Sequence, residues 1–231
     1  MRHSLFWNPL WAIAFGLSFS LPTQAAPKIE GSVHKDASTG WVIGNAKGTL
    51  VQSMERLWPV LADAIHGQLN ANTTVCVSLS ESDVRSRLGG LPAERLPLPD
   101  AQEAAAFESF RKVGSKTPAI ARIGEKSTRY VLRKMDIPVP FVGDRWVLAK
   151  ETLDATDASK FTLKIEGLAG NVRHYDTTWT LTPSSLGTFV EVRVSSDLNF
   201  QVPSSLAGLG SSELRGSLRR FSEIADTKLS Q

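Results

Sequence analysis

The feature that most constrains this fold is a series of strand-like segments in the second half of the chain, with no helix between them. In residues 161–166 and again in 190–195, every second residue is apolar. This alternation is typical of antiparallel strands with one buried and one wet face. Short polar gaps separate the segments, which favours a meander over parallel units. The pattern predicts strands at 119–123, 127–137, 144–153, 160–166, 172–182 and 188–196.

Helical patterns flank these strands. Apolar residues from Leu57 to Leu69 fall at three- and four-residue steps and predict an amphipathic helix, with Ser53 as its N-cap. Pro59 lies inside that pattern, so the helix should start near Leu57 or kink. A second apolar stripe predicts a long C-terminal helix within 204–229. Residues 41–50, before the first helix, are strand-like.

The segment 64–104 follows neither period throughout. A short strand is predicted at 74–79, and Gly89-Gly90 is followed by three closely spaced prolines. Such residues mark a long loop or an insertion. A helix at 101–113, with Asp100 as its N-cap, is predicted to end this atypical segment.

The N-terminus predicts export. Arg2 precedes an uncharged apolar run at 10–21, and Thr23-Gln24-Ala25 supplies small residues where a signal peptidase cuts. The run is shorter than the roughly 20 apolar residues of a membrane span, so we expect cleavage rather than an uncleaved anchor, which is the alternative. We therefore predict a signal peptide at 1–25, a flexible leader at 26–40 with a short strand at 29–33, and one domain at 41–231. The mature protein is expected to be periplasmic or secreted, with no stable membrane anchor.

Composition and motifs narrow the function classes. Lys and Arg total 26 against 23 Asp and Glu, which is too even to indicate a nucleic-acid partner. Cys76 is the only cysteine, so no internal disulfide can form. The hydrolase and phosphate-loop motifs are missing from the sequence, and we assign no catalytic residue and no cofactor. The histidines at 34, 66 and 174 lack ligand spacing, so no metal is expected.

Three local patterns occur in an order that carries more information than any one of them. Residues 54–63 read MERLWPVLAD, residues 137–146 read IPVPFVGDRW, and TWTLTP at 178–183 leads through Gly187-Thr188 to Pro203 before the last helix. This order resembles the START-like superfamily, also called the polyketide cyclase/lipid-transfer or SRPBCC group. The resemblance implies an α+β helix-grip fold, in which a curved antiparallel sheet wraps around a long C-terminal helix and leaves an apolar cavity. Segment 64–104 departs from the pattern.

The resemblance implies binding or transfer of a hydrophobic small molecule or lipid in that cavity. One alternative is a cofactor-free cyclase or hydrolase that uses Asp144, Arg145 or Tyr175 in the same cavity. Another is an interaction module with a filled core, which would bind its partner through 64–104. A cavity well below the size of typical ligand sites favours this last alternative.

Some residues are candidates for the cavity wall. Asp144 and Arg145 are neighbours on a strand and point to opposite faces. They are tied either to neighbouring strands or backbone, or Arg145 enters the cavity and holds an anionic or carbonyl head group. Tyr175 and Trp179 share one strand face and suit either a cavity wall or core packing. The predicted ligand-binding set is Tyr130, Leu132, Phe141, Arg145, Trp146, Phe161, Leu163, Tyr175, Trp179, Val192, Leu214 and Phe221.

Overall fold

The computed structural model describes residues 28–63, 72–91, 96–97, 100–115, 121–136, 143–200 and 207–228. The predicted signal peptide and the predicted site residue Phe141 lie outside the described residues.

A long antiparallel sheet dominates the fold. The strands are β1 Ile29–Lys35, β2 Val42–Leu50, β3 Thr73–Leu79, β4 Leu96–Pro97, β5 Lys126–Met135, β6 Arg145–Asp157, β7 Lys160–Gly170, β8 His174–Ser184 and β9 Gly187–Asp197. Eight of them follow the order β1-β2-β9-β8-β7-β6-β5-β3, and the two-residue β4 pairs parallel to β7. The run from β5 to β9 is the meander that the alternating pattern predicts.

Two strand predictions need correction. Residues 121–123 of the predicted strand 119–123 form no strand and lead into a turn at Gly124, whose φ is +87°. The Gly124 N–H donates to Ala155 O at 2.9 Å, so this stretch closes onto β6 before β5 begins. The short strand predicted at 29–33 within the leader is present but longer than predicted, because β1 pairs with β2 along its whole length and forms one edge of the sheet.

Four helices occur among the described residues: α1 Met54–Ala62, α2 Glu81–Leu88, α3 Asp100–Val113 and α4 Ala207–Lys228. α1 begins at Met54 and not near Leu57. Pro59 has no N–H to donate to the Glu55 carbonyl. Burial of Leu57, Trp58 and Leu61 offsets that missing hydrogen bond.

The sheet separates two apolar cores. Its inner face packs against α1 and α4, in a cluster that includes Leu61, Trp179 and Phe221. Its outer face at β3, β5 and β6 packs against α2 and α3, in a cluster that includes Phe107 and Leu148. Where described, segment 64–104 therefore supplies the edge strand β3 and places α2 on the outer face of the sheet.

The C-terminal helix lies close to the first two strands. A Cβ added at Gly44 would come 2.7 Å from Leu214 Cδ1, and one added at Gly31 would come 3.2 Å from Ser211 O. These two glycines therefore permit the close approach of α4 to β1 and β2. Beyond Leu214 the helix crosses the inner face of the sheet, and the candidate site lies beneath it.

Candidate functional site

A cavity of about 90 Å³ lies between α4 and the inner face of the sheet. Strands β3, β5, β7, β8 and β9 form its floor and walls, and the first half of α4 forms its roof. It is lined by Thr73, Arg133, Met135, Ile165, Tyr175, Thr177, Trp179, Val192, Val194, Leu214 and Ser217.

Most of this wall is apolar because strand alternation directs every second side chain inward. In the register Trp179 pairs with Val192, and Thr177 pairs with Val194. Paired residues of an antiparallel sheet share a face, so all four point into the cavity. The Trp179 ring packs edge-on against Phe221 of α4, with ring centroids 5.6 Å apart.

Arg133, whose charged side chain lines the cavity, belongs to a buried ionic network on β5 and β6. Arg129 lies opposite Glu151 in the register, and its Nε donates to Glu151 Oε2 at 2.6 Å. Arg133 Nη2 donates to the other oxygen, Glu151 Oε1. Arg129 Nη1 donates to Ala62 O at the C-terminus of α1, the end where a cation is favoured. Glu151 therefore bridges two guanidinium groups, of which Arg133 lines the cavity.

Arg133 is only 4% exposed and carries its charge there. Burial works against that charge, but the Glu151 carboxylate, Cys76 and Tyr175 favour it more, and together they raise the pKa of the guanidinium above its ordinary value. Arg133 is thus a permanent cation at the cavity wall.

Among the described residues, two side chains that line the cavity each have a buried polar atom without a hydrogen-bond partner, namely Arg133 Nη1 and Thr177 Oγ1. Thr177 is 6% exposed. A buried donor without a partner costs about 1–3 kcal/mol, and more when it is charged. Two such groups on one small cavity indicate where the polar atoms of a bound molecule would lie.

Four residues of the sequence-based set line the cavity: Tyr175, Trp179, Val192 and Leu214. Phe161, Leu163 and Phe221 belong to the same inner core but do not line the cavity. Their contact with a ligand remains a prediction.

Tyr130, Leu132 and Trp146 lie on the opposite face of the sheet. All three belong to the outer core beneath α2 and α3, and Trp146 packs against Phe107 at 5.7 Å between ring centroids. β5 and β6 are buried on both faces, so their hydrophobicity does not indicate which face points inward. The prediction took the wrong alternate residues on β5.

Asp144 and Arg145 are tied to a neighbouring strand and to backbone, and Arg145 does not line the cavity. Arg145 Nε donates to Leu198 O at 2.7 Å, and its guanidinium lies over the Phe200 ring. Asp144 pairs with Lys134 of β5 at 2.6 Å. Neither lines the cavity, so the acid–base set that the enzyme alternative needs does not converge there.

Arg133 and Thr177 are the functional candidates that the sequence-based set missed, along with Ile165 and Val194. A signal for Arg133 was present. Arg129 and Arg133 are the charged residues of same-face parity in a strand otherwise rich in Val, Leu and Met, and Glu151 interrupts the apolar start of the next strand. Charges inside apolar strands require partners, and their pairing identifies the inner face.

The described part of the chain contains neither a metal-ligating cluster nor a membrane-spanning helix. No three His, Cys, Asp or Glu side chains there are grouped closely enough to hold a metal ion. No helix there has both the length and the apolar character needed to cross a membrane.

No family model matches the chain, and no curated protein matches it in sequence. Its structure does resemble solved structures. The human StarD13 (DLC2) lipid transfer and protein localization domain superposes with a TM-score of 0.52 at 10% identity, over 84% of each chain. Human StAR-related lipid transfer protein 5 gives 0.52 at 9% identity, over 88% of this chain and 84% of its own. The aromatase/cyclase Zhui from Streptomyces sp. R1128 gives 0.48 at 12% identity, over 82% and 96%. The chain has the START-like helix-grip fold, as predicted.

Proposed function

We propose that this protein binds a small hydrophobic molecule in the cavity beneath α4. The observation that carries the proposal is one cavity with apolar walls and two unpartnered buried polar atoms, since ligand sites are mostly apolar with a few placed polar groups. The two human neighbours named above are a lipid transfer domain and a lipid transfer protein, which supports an apolar ligand.

The cavity volume limits what this conformation holds. About 90 Å³ is less than the roughly 150 Å³ of an engineered apolar cavity that binds benzene. A larger ligand would need its roof to move, and the roof consists of Leu214 and Ser217 on α4. The proposal therefore includes a shift of the first half of α4 when such a ligand binds.

Native mass spectrometry of the purified protein tests the binding proposal. The expected spectrum contains a noncovalent adduct, which organic extraction removes and added apolar ligand restores. Val194→Phe should prevent the adduct by filling the cavity, whereas Val75→Phe, the same change at a half-buried valine of the outer core, should leave it intact. A protein that neither carries nor accepts any apolar molecule would contradict the proposal.

The small volume favours one other candidate, an interaction module with a filled core. Typical ligand sites measure about 300–1,000 Å³, well above this cavity. This candidate predicts that Val194→Phe leaves partner binding unchanged. It also predicts that deletion of residues 88–99 abolishes partner binding while the fold persists.

We also propose that the protein acts in the periplasm or outside the cell. The support is the N-terminal pattern of Arg2, the apolar run at 10–21 and Thr23-Gln24-Ala25. Cell fractionation with N-terminal sequencing tests the location, and the expected mature chain begins after Ala25. An uncleaved chain in the cytoplasmic fraction would contradict it.

A further inference from the structure

The unpartnered guanidinium nitrogen of Arg133 identifies the chemical class of the ligand. We infer that the bound molecule is an apolar carboxylic acid whose carboxylate pairs with Arg133, with Thr177 beside it. This inference rests on the proposed function.

Arg133 has one paired and one unpaired terminal guanidinium nitrogen. Its Nη2 donates to Glu151, but that carboxylate also accepts from Arg129. Nη1 carries two N–H groups and has no partner. Two guanidinium groups share the single negative charge of Glu151, so an anion stabilises Arg133 more than a neutral acceptor does, because it adds Coulomb attraction to the hydrogen bond.

The network of Arg129 and Glu151 fixes the orientation of the Arg133 guanidinium. Arg129 is held between Glu151 and the Ala62 carbonyl at the end of α1. Glu151 is fully buried, and its two carboxylate oxygens accept from Arg129 and from Arg133, so it links the two side chains. The network presents the free edge of Arg133 in a defined direction, which reduces the entropy lost on binding.

Among anions, a carboxylate fits Arg133 and Thr177 better than a phosphate does. A carboxylate is planar and matches the guanidinium fork. A phosphate monoester carries about −1.5 to −2 charge at neutral pH and three acceptor oxygens, which is more than one unpaired Nη1 and one hydroxyl can satisfy in about 90 Å³. Thr177 Oγ1 can donate to a carboxylate oxygen, and an alcohol or an ester would leave the Arg133 charge without a new counter-ion.

Calorimetric titration of the full mature chain tests this inference. The probes are butanoate, hexanoate and octanoate, each compared with the alcohol of equal length and with octyl phosphate. Each acid is expected to bind about 10- to 100-fold more tightly than its alcohol. Equal affinity for acids and alcohols would overturn the inference and leave the proposed function intact, and tighter binding of octyl phosphate would overturn it in favour of a phosphate. No binding of any probe would contradict both.

Matched variants locate the contact. Arg133→Met should remove the preference for acids over alcohols while retaining alcohol binding, and Glu151 stays paired with Arg129 in that variant. Arg145→Met removes an arginine of β6 that lies on the same face of the sheet but donates to the Leu198 carbonyl. This variant should keep the preference for acids. Thr177→Val should weaken acid binding by a smaller factor. A preference lost in Arg145→Met but kept in Arg133→Met would overturn the assignment. If Arg133→Met fails to fold, Thr177→Val and the acid–alcohol comparison on the wild type still decide.

Discussion

Arg133 on β5 forms a buried ion pair with Glu151 on β6, although the residue opposite Glu151 in the sheet register is Arg129. The pair is therefore diagonal. Arg133 lines the cavity beneath α4 and keeps Nη1 without a partner, whereas Arg129, directly opposite the carboxylate, donates to both Glu151 and the Ala62 carbonyl. Arg133 therefore belongs both to the ion pair that stabilises the inner face and to the lining of the candidate site.

Glu151→Gln should destabilise the fold by about 3–5 kcal/mol, because it leaves two buried guanidinium groups without their shared counter-charge. Urea unfolding measures the change. Glu108→Gln is the control, since the Glu108–Arg111 pair is about half exposed and its loss should cost less than about 0.5 kcal/mol. Similar losses in the two variants would contradict the structural role given to Glu151.

Gly187→Ala should be far more damaging than Gly124→Ala. Both glycines have positive φ, at +131° and +87°. A Cβ at Gly187 would lie 2.1 Å from the Leu50 carbonyl oxygen, whereas one at Gly124 would meet nothing within 4 Å. The first change should cost upwards of about 2 kcal/mol and the second about 1 kcal/mol of backbone strain. Thermal unfolding of both variants measures the difference, and equal melting temperatures would show that the β8–β9 turn does not pack against β2.

Gln52→Ala should loosen the second half of α4. Gln52 Nε2 donates to Asp226 Oδ1 at 2.7 Å and to Ser222 Oγ at 3.0 Å, and the side chain is buried. Its loss should cost about 1–3 kcal/mol and speed hydrogen exchange in residues 218–226. Gln102→Ala, at an exposed position of α3, should stay within about 0.5 kcal/mol. Unchanged exchange in the first variant would mean that α4 is held by its apolar stripe alone.

The turn at Asp36 should respond to acid. The Ser38 hydroxyl and the Thr39 N–H and hydroxyl donate to its carboxylate and lower the pKa of Asp36 to about 2. The unfolded pKa is about 3.9. Since the folded pKa is the lower one, this carboxylate stabilises the fold above about pH 4, and the contribution is lost as the pH falls toward 2. Carboxyl-carbon NMR titration should give a midpoint near 2, and Thr39→Val should raise it. A wild-type midpoint near 4 would contradict the turn geometry.

Regular alternation is what made the fold predictable. In β7 and β9 one face meets water, so apolar residues such as Leu163 and Val192 mark the inner face directly. Together with the stripe on α4, these strands define the sheet and its grip on the helix. The resemblance added the wrapping of the sheet around the C-terminal helix, and the structure confirms the fold that it implied.

Alternation failed where a second layer covers the sheet. α2 and α3 bury the outer face of β5 and β6, so Tyr130 and Leu132 are as buried as their inward neighbours Val131 and Arg133. Hydrophobicity then cannot separate the faces, and only the polar residues can. On β5 and β6, Arg129, Arg133 and Glu151 are therefore the residues that mark the inner face, whereas on β8 the aromatic residues Tyr175 and Trp179 already did so.

Methyl-resolved NMR with a bound ligand tests the central claim most directly. Addition of octanoate should shift the methyl signals of Val192, Val194, Leu214 and Met135, which line the cavity. The methyl signals of Val77, Leu79 and Leu132, in the outer core, should stay unchanged. Shifts confined to the outer core, or no shifts at saturating ligand, would contradict binding beneath α4.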